Sequence, residues 1–186
     1  MTTTPPHSLL PHTGHPNART VGLVVAMVYI GAIVTANWAS THWPAMVFGQ
    51  FVVPAGTLWA GLTLTLRDVL HEALGPHGVT AGIAIGAGVS WLYASPQIAV
   101  ASVVAFAVSE ILDSAVYAVL RQRSRLGAVV GSNITGLLVD SLLFVPLAFG
   151  SLAAVPGQLV GKTAATILTV SLLALTRLRR SQAVRR

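Results

Sequence analysis

The chain holds only five acidic side chains, Asp68, Glu72, Glu110, Asp113 and Asp140, and each falls inside a long apolar run or at its immediate end. The single lysine, Lys162, is also inside such a run. A charged side chain at the centre of a bilayer costs about 2.5–3.5 kcal/mol on insertion scales, so residues of this kind face a protein interior and mark a site or a pathway. Phe106, Glu110, Asp113 and Tyr117 stand at i, i+4, i+7 and i+11, one stripe of a helix that carries two carboxylates and two aromatic rings. Asn133 and Asp140 are seven apart, with Gly136 between them leaving room and Ser132 and Ser141 on the borders. Thr57, Gly61, Thr65, Asp68 and Glu72 form a third stripe, and Gln158, Lys162 and Thr166 a fourth. Carboxylates so placed can accept hydrogen bonds from a polar ligand or relay protons. Ser and Thr hydroxyls also join membrane helices, at about 0.6 kcal/mol per contact, and that role accounts for those residues. It cannot offset the insertion cost of Glu110, Asp113 and Asp140. Asp68 and Glu72 lie at a partly wet rim where Arg67 can pair locally, and Lys162 can neutralise one buried carboxylate.

Six apolar segments are available to position these groups: 20–40, 46–66, 79–94, 97–120, 127–149 and 157–176. Pro44, Gly75-Pro76, Ser95-Pro96 and Pro156-Gly157 punctuate them. At about 20 residues per crossing the chain has room for six spans and for no separate soluble domain. The first segment is too long for the core of a signal peptide and lacks a small-residue cleavage site, so it is expected to remain as a span. The composition agrees: 54% of residues are hydrophobic and 9% charged, where soluble domains carry about a quarter charged residues. The formal charge of +6 comes from basic residues set between apolar runs, which excludes a nucleic-acid partner. There is no cysteine, and therefore no disulfide framework or thiolate metal site.

Lys and Arg accumulate in short loops that stay in the cytoplasm. Arg19 precedes the first segment, Arg67 follows the second, Arg121, Arg123 and Arg125 join the fourth to the fifth, and Arg177, Arg179, Arg180, Arg185 and Arg186 follow the sixth. The alternate loops are free of charge. The expected architecture is an all-α integral membrane protein of the inner, cytoplasmic membrane, a six-transmembrane-helix bundle with both termini inside. Residues 1–19 are expected as a disordered cytoplasmic tail, 20–176 as the six-helix domain and 177–186 as a basic cytoplasmic tail. Gly82 with Gly86, Gly127 with Gly131 and Gly157 with Gly161 are small residues four apart that let helices approach closely.

Several motifs fail in an informative way. His71-Glu72 and His77 do not have the spacing of a zinc-protease pair, and Gly75-Pro76 breaks the helix between them. Asn133-Ile134-Thr135 has the form of a glycosylation sequon but lies within a span. There is no phosphate loop and no Gly-x-Ser-x-Gly elbow. The histidines His7, His12 and His15 fit a solvated tail better than a metal site. No cofactor, resident metal or enzymatic activity is expected.

In order along the chain, Val53-Pro-Ala-Gly-Thr-Leu58, Leu62-Thr-Leu-Thr-Leu-Arg-Asp-Val-Leu-His-Glu72, Ser109-Glu-Ile-Leu-Asp-Ser-Ala-Val-Tyr117, Ser132-Asn-Ile-Thr-Gly-Leu-Leu-Val-Asp-Ser141 and Gly161-Lys162 resemble the queuosine-precursor transporter family, also called the vitamin uptake transporter family. The likeness spans roughly residues 28–170. It implies a six-helix importer of 7-deazaguanine bases such as preQ0, preQ1 or queuine. By this resemblance Asn37, Asp68, Glu72, Glu110, Asp113, Asn133, Asp140 and Lys162 occupy the family's polar positions. His71 stands where many members have Asn or another polar residue, and Arg67 before Asp68 is also a departure. The ligand's chemistry fits these residue types. A guanine edge presents an N–H beside an amino group, which one carboxylate accepts in a bidentate manner, and an Asn or Gln amide serves the neighbouring carbonyl. Trp59, Phe106 or Tyr117 can stack on the ring, worth about 1–3 kcal/mol per base in other sites.

Two further functions remain open. A substrate-binding subunit would need a separate ATPase module, docked for example on the small face formed by Ala32 and Ala36. An intramembrane enzyme would use Asp113 and Asp140 as acid and base, but the Gly-x-Gly-Asp context of intramembrane aspartyl proteases is absent. The partners expected are the deazapurine and the lipid bilayer, with a second copy of the chain or an energising partner left open.

Overall fold

The computed structural model describes residues 18–184. Of the tail expected over residues 1–19, residues 1–17 with the three histidines lie outside the described part, as do residues 185–186, whereas Ala18 and Arg19 open the first helix. Five helices and one small hairpin follow in chain order: α1 (Ala18–His42), β1 (Met46–Phe48), β2 (Phe51–Val53), α2 (Thr57–Tyr93), α3 (Pro96–Leu120), α4 (Arg125–Phe149) and α5 (Val155–Val184). Among the described residues three segments, Thr20–His42, Pro96–Leu120 and Arg125–Phe149, are long and apolar enough to cross a membrane.

The difference from six separate helices lies at Gly75. There the backbone has φ 69° and ψ −171°, a conformation outside the helical region, inside an element that otherwise runs from Thr57 to Tyr93. A left-handed φ suits glycine, and a following proline disfavours helical geometry at the residue before it. Packing against α1 shows how far the chain turns. Along α1, Gly22 meets Leu74 and Ala36 meets Gly56, so residues 57–74 run antiparallel to it. Tyr29 meets Gly82, Ile33 meets Gly86, and Asn37 Nδ2 donates to Ser90 Oγ at 3.0 Å, so residues 76–93 run parallel to it. The two arms of α2 therefore oppose each other as a helical hairpin. No separate loop links the second and third segments, because only Gly75 leaves the helix.

Two other boundaries move. Residues 46–53, expected as the start of the second span, form an antiparallel β-hairpin with Met46 paired to Val53 and Phe48 to Phe51. Gly49, at φ 57°, makes its turn, and Pro54 stands between it and α2. The last helix continues to Val184, through most of the segment expected as a basic tail.

The helix ends carry their signals. Pro96 opens α3 behind Ser95, Ser124 Oγ accepts the Gly127 N–H at 3.1 Å to cap α4, and Gly150 closes α4. Thr41 Oγ1 accepts the Ser95 N–H, Gln97 Nε2 donates to the Leu147 carbonyl, and the Val52 carbonyl packs on Gly157. These contacts gather the β-hairpin, the α2–α3 turn and the α4–α5 turn at one end of the bundle, and none of these connections carries a charge. Arg121 and Arg123 lie in the α3–α4 connection and Arg125 opens α4, at the opposite end.

Glycines bring the helices together. A Cβ on Gly82 would lie 2.9 Å from the Tyr29 ring and one on Gly86 3.0 Å from Ile33. Gly157 abuts the β2 backbone, and a Cβ on Gly161 would lie 2.7 Å from Thr57 Cγ2. Of the remaining pair, Gly131 faces Leu120 across to α3, whereas Gly127 meets only its own cap residue Ser124. Ala32 and Ala36 are buried, so the small face proposed for a docking partner is already occupied.

Burial is inverted relative to a soluble domain. Leu23, Met27, Leu92, Ile111, Val119, Leu126 and Leu168 are exposed, whereas Asn37, Ser109, Asp113, Ser132, Ser141, Gln158 and Lys162 are buried. An apolar outside around a polar inside suits lipid as solvent.

Candidate functional site

The candidate residues form two tiers instead of one site. The upper tier, toward the β-hairpin, is a cavity of about 50 Å³ lined by Asn37, Phe106, Asp140 and Lys162 together with Thr57, Phe144 and Gln158. On the scale where one water needs about 10–15 Å³, this is room for a few waters. The lower tier is a crevice of about 220 Å³ lined by Thr65, Arg67, Asp68, Asp113, Asn133 and Thr166. It continues into an open groove of about 410 Å³ that adds His71, Glu110, Tyr117 and Ser132.

The spacing of the helical stripes explains the division. Phe106 and Asp113 on α3, and Asn133 and Asp140 on α4, are each seven residues apart. At 1.5 Å per residue that is about 10 Å along the axis. Such residues share a face but not a level. On α2, Thr57 reaches the cavity while Thr65 and Asp68 reach the crevice. On α5, Gln158 and Lys162 serve the first and Thr166 the second.

Each tier is organised by its own cation. In the cavity Lys162 Nζ donates to Asp140 Oδ2, joining α5 to α4, and both side chains are largely buried. The ammonium also stands 5.9 Å from the centre of the Phe144 ring. In the crevice Arg67 is the hub. Its Nη1 donates to Glu110 Oε2 at 2.8 Å, its Nε and Nη2 donate to Asp68 Oδ1 at 3.1 and 3.0 Å, and Nη2 lies 3.5 Å from Asp113 Oδ2. A guanidinium with five N–H donors can hold several carboxylates at once, as an ammonium in a narrow cavity cannot. One Arg against three carboxylates leaves this tier formally negative, whereas the Asp140–Lys162 pair leaves the cavity formally neutral.

Not every expected residue is brought in. Trp59 is exposed on the outer surface, because it lies two residues beyond Thr57 and so faces away from the α2 stripe. Glu72 is also exposed, beyond the groove and near the Gly75 turn. Asp68 is 56% exposed at its side chain and held at the rim by Arg67. Asp113 and Asp140, considered above as an acid and base pair, sit at different levels with different cations. Among the described residues no group of three His, Asp or Glu gathers to hold a metal ion.

Three residues matter more than their sequence positions indicated. Arg67 read as a local partner of Asp68, yet it links α2 to α3. Gln158 stands four before Lys162, which was the available signal for its place on the same face. Thr57 stands four before Gly61, whose missing side chain lets α5 approach; a Cβ there would lie 2.6 Å from Ala165 Cβ.

Residues 89–177 match the family model described as "putative vitamin uptake transporter". No curated protein and no solved structure matches the chain. The matched stretch contains the α3, α4 and α5 contributions to both tiers, while Asn37, Thr57 and Arg67 precede it. From the end of α2 through most of α5, this multi-pass membrane protein is similar to a transporter of the vitamin-uptake type.

Proposed function

We propose that the chain is an importer of queuosine precursors, the 7-deazaguanine bases preQ0, preQ1 or queuine, acting in the cytoplasmic membrane with both termini inside. In this reading the two arms of α2 count as separate crossings, so that six spans place the β-hairpin end outside and the arginine-bearing connection in the cytoplasm. The observation that carries the proposal is a polar cavity in an otherwise apolar bundle, with Asn37, Asp140 and Lys162 on its wall beside the Phe106 ring. A flat base stacks on Phe106 while Asp140 accepts from its N–H and amino edge and an amide serves its carbonyl. Asn133, Asp68, Glu110, Asp113 and Tyr117 line the route on the cytoplasmic side, where Arg67 holds the carboxylates.

Purified chain in liposomes tests this directly. Labelled 7-deazaguanine should enter in a saturable manner without any added ATPase module. Unlabelled guanine-type bases should compete, and adenine should compete at least about a hundredfold less well. The adenine ring nitrogen that replaces the guanine N–H is an acceptor, and facing it to a carboxylate strands two acceptors at about 1–3 kcal/mol each. Equal competition by adenine would break the link between the carboxylates and a guanine-like ligand. Uptake only when an ATPase module is added would instead identify a binding subunit.

A further inference from the structure

Six buried side-chain polar atoms lack a partner among the described residues: Tyr29 Oη, Thr57 Oγ1, Thr65 Oγ1, Asp113 Oδ1, Ser141 Oγ and Gln158 Oε1. Buried polar groups are almost always paired, so each exception needs a reason. Two of the six, Gln158 and Thr57, line the same cavity. They come from α5 and α2, at the point where Gly161 lets those helices touch. Gln158 is 1% and Thr57 2% exposed, so bulk water does not satisfy them. Two other polar contacts of the wall are already made: Asn37 Nδ2 donates to Ser90 Oγ, and Lys162 donates to Asp140 Oδ2. The fully buried groups of this wall that lack a partner are therefore one primary amide and one hydroxyl.

We infer that Gln158 and Thr57 are specificity-determining residues that read an uncharged ring edge of the ligand, one presenting an N–H donor next to an acceptor. A primary amide offers an acceptor and two donors in one plane and matches such an edge with two parallel hydrogen bonds. The Thr57 hydroxyl, which donates or accepts, serves the adjoining ring atom. A formally neutral cavity adds no net attraction for a charged group at this level, and the acidic crevice below carries the negative charge. Ligand recognition and the Arg67 network thus belong to different tiers. For the identity of the ligand this inference rests on the importer reading; for the role of the two side chains it does not.

The experiment is thermal unfolding of the purified chain with and without 7-deazaguanine, for the wild type, Gln158→Leu, Thr57→Val and Thr57→Ser. A group kept unpaired for a ligand is a cost to the empty protein, so Gln158→Leu and Thr57→Val should each raise the ligand-free Tm. Each should also weaken binding at least about tenfold and lose most of the ligand-induced shift. Thr57→Ser keeps the hydroxyl and should keep the shift. Wild-type ligand shifts in both Gln158→Leu and Thr57→Val would overturn the inference and leave the importer reading intact. A lowered ligand-free Tm in both would also overturn it, by showing that these groups already have partners. Raised Tm values in the two variants without any shift by 7-deazaguanine in the wild type would support their role as ligand groups and remove the base reading. Thr57→Val decides the matter alone if Gln158→Leu does not fold.

Discussion

Replacing Lys162 by Met should destabilise the protein far more than replacing Lys162 and Asp140 together. The Lys162 side chain is 3% exposed and that of Asp140 15%, so loss of the ammonium strands a carboxylate among apolar helices. Breaking a buried ion pair costs about 3–5 kcal/mol, whereas exchanging both partners for uncharged groups is often neutral or stabilising. Asp140 borders the cavity, where water can solvate part of the stranded charge. This places the penalty at the lower end, about 3 kcal/mol, or roughly a hundredfold in the folded-to-unfolded ratio. The double variant Lys162→Met/Asp140→Asn should recover most of that loss, giving a coupling of at least about 2 kcal/mol. Four proteins suffice for the cycle: wild type, each single variant and the double, unfolded in the same detergent and followed by circular dichroism. Additive losses would refute the reasoning, because they would mean that Asp140 does not depend on Lys162 for its charge.

Glu110→Gln should lower uptake several-fold while leaving the protein in the membrane, since the Arg67 Nη1 contact at 2.8 Å loses its charge assistance; uptake equal to wild type at equal expression would make Glu110 purely structural. The chain has no cysteine of its own, so single cysteines can report topology: positions 42 and 152 should label only from outside and 123 only from the cytoplasm, and cytoplasmic labelling of either charge-free connection would sink the orientation. Gly161→Val should cost about 1–3 kcal/mol because the added Cβ would lie 2.7 Å from Thr57 Cγ2. Gly88→Ala, with nothing within 4 Å of the added atom, should be neutral or slightly stabilising, and equal losses in the two variants would discredit the close approach of α2 and α5.

Hydropathy and helix-breaking residues located the helices of this chain well, and failed where apolar character has more than one use. Residues 46–53 are as apolar as a span, but Gly49 at φ 57° and Pro54 make them a β-hairpin that packs on Gly157. Periodicity alone does not separate a short strand from the start of a helix. The segment between Leu66 and Val79 erred in the other direction. Its polar and breaking residues indicated a loop, yet every residue except Gly75 stays helical, because Pro76 occupies the first turn of the second arm, where its missing N–H costs nothing.

For the site, residue type was legible and level was not. The stripes on α3 and α4 correctly grouped residues by face, but a face gives an angle around a helix and carries no depth. Depth follows from position along the helix, about 10 Å for seven residues, and each level has its own cation. Arg67 is long, planar and five-donor, so it gathers Asp68, Glu110 and Asp113. Lys162 presents one compact charge and takes Asp140 alone. Once these pairs form, Asp140 has one oxygen committed and one to spare, and the neutral polar groups around it become the available readers. Those neutral groups, Gln158 and Thr57, were the least conspicuous in the sequence, because an uncharged amide or hydroxyl in an apolar run costs far less to bury than a carboxylate and draws correspondingly less attention.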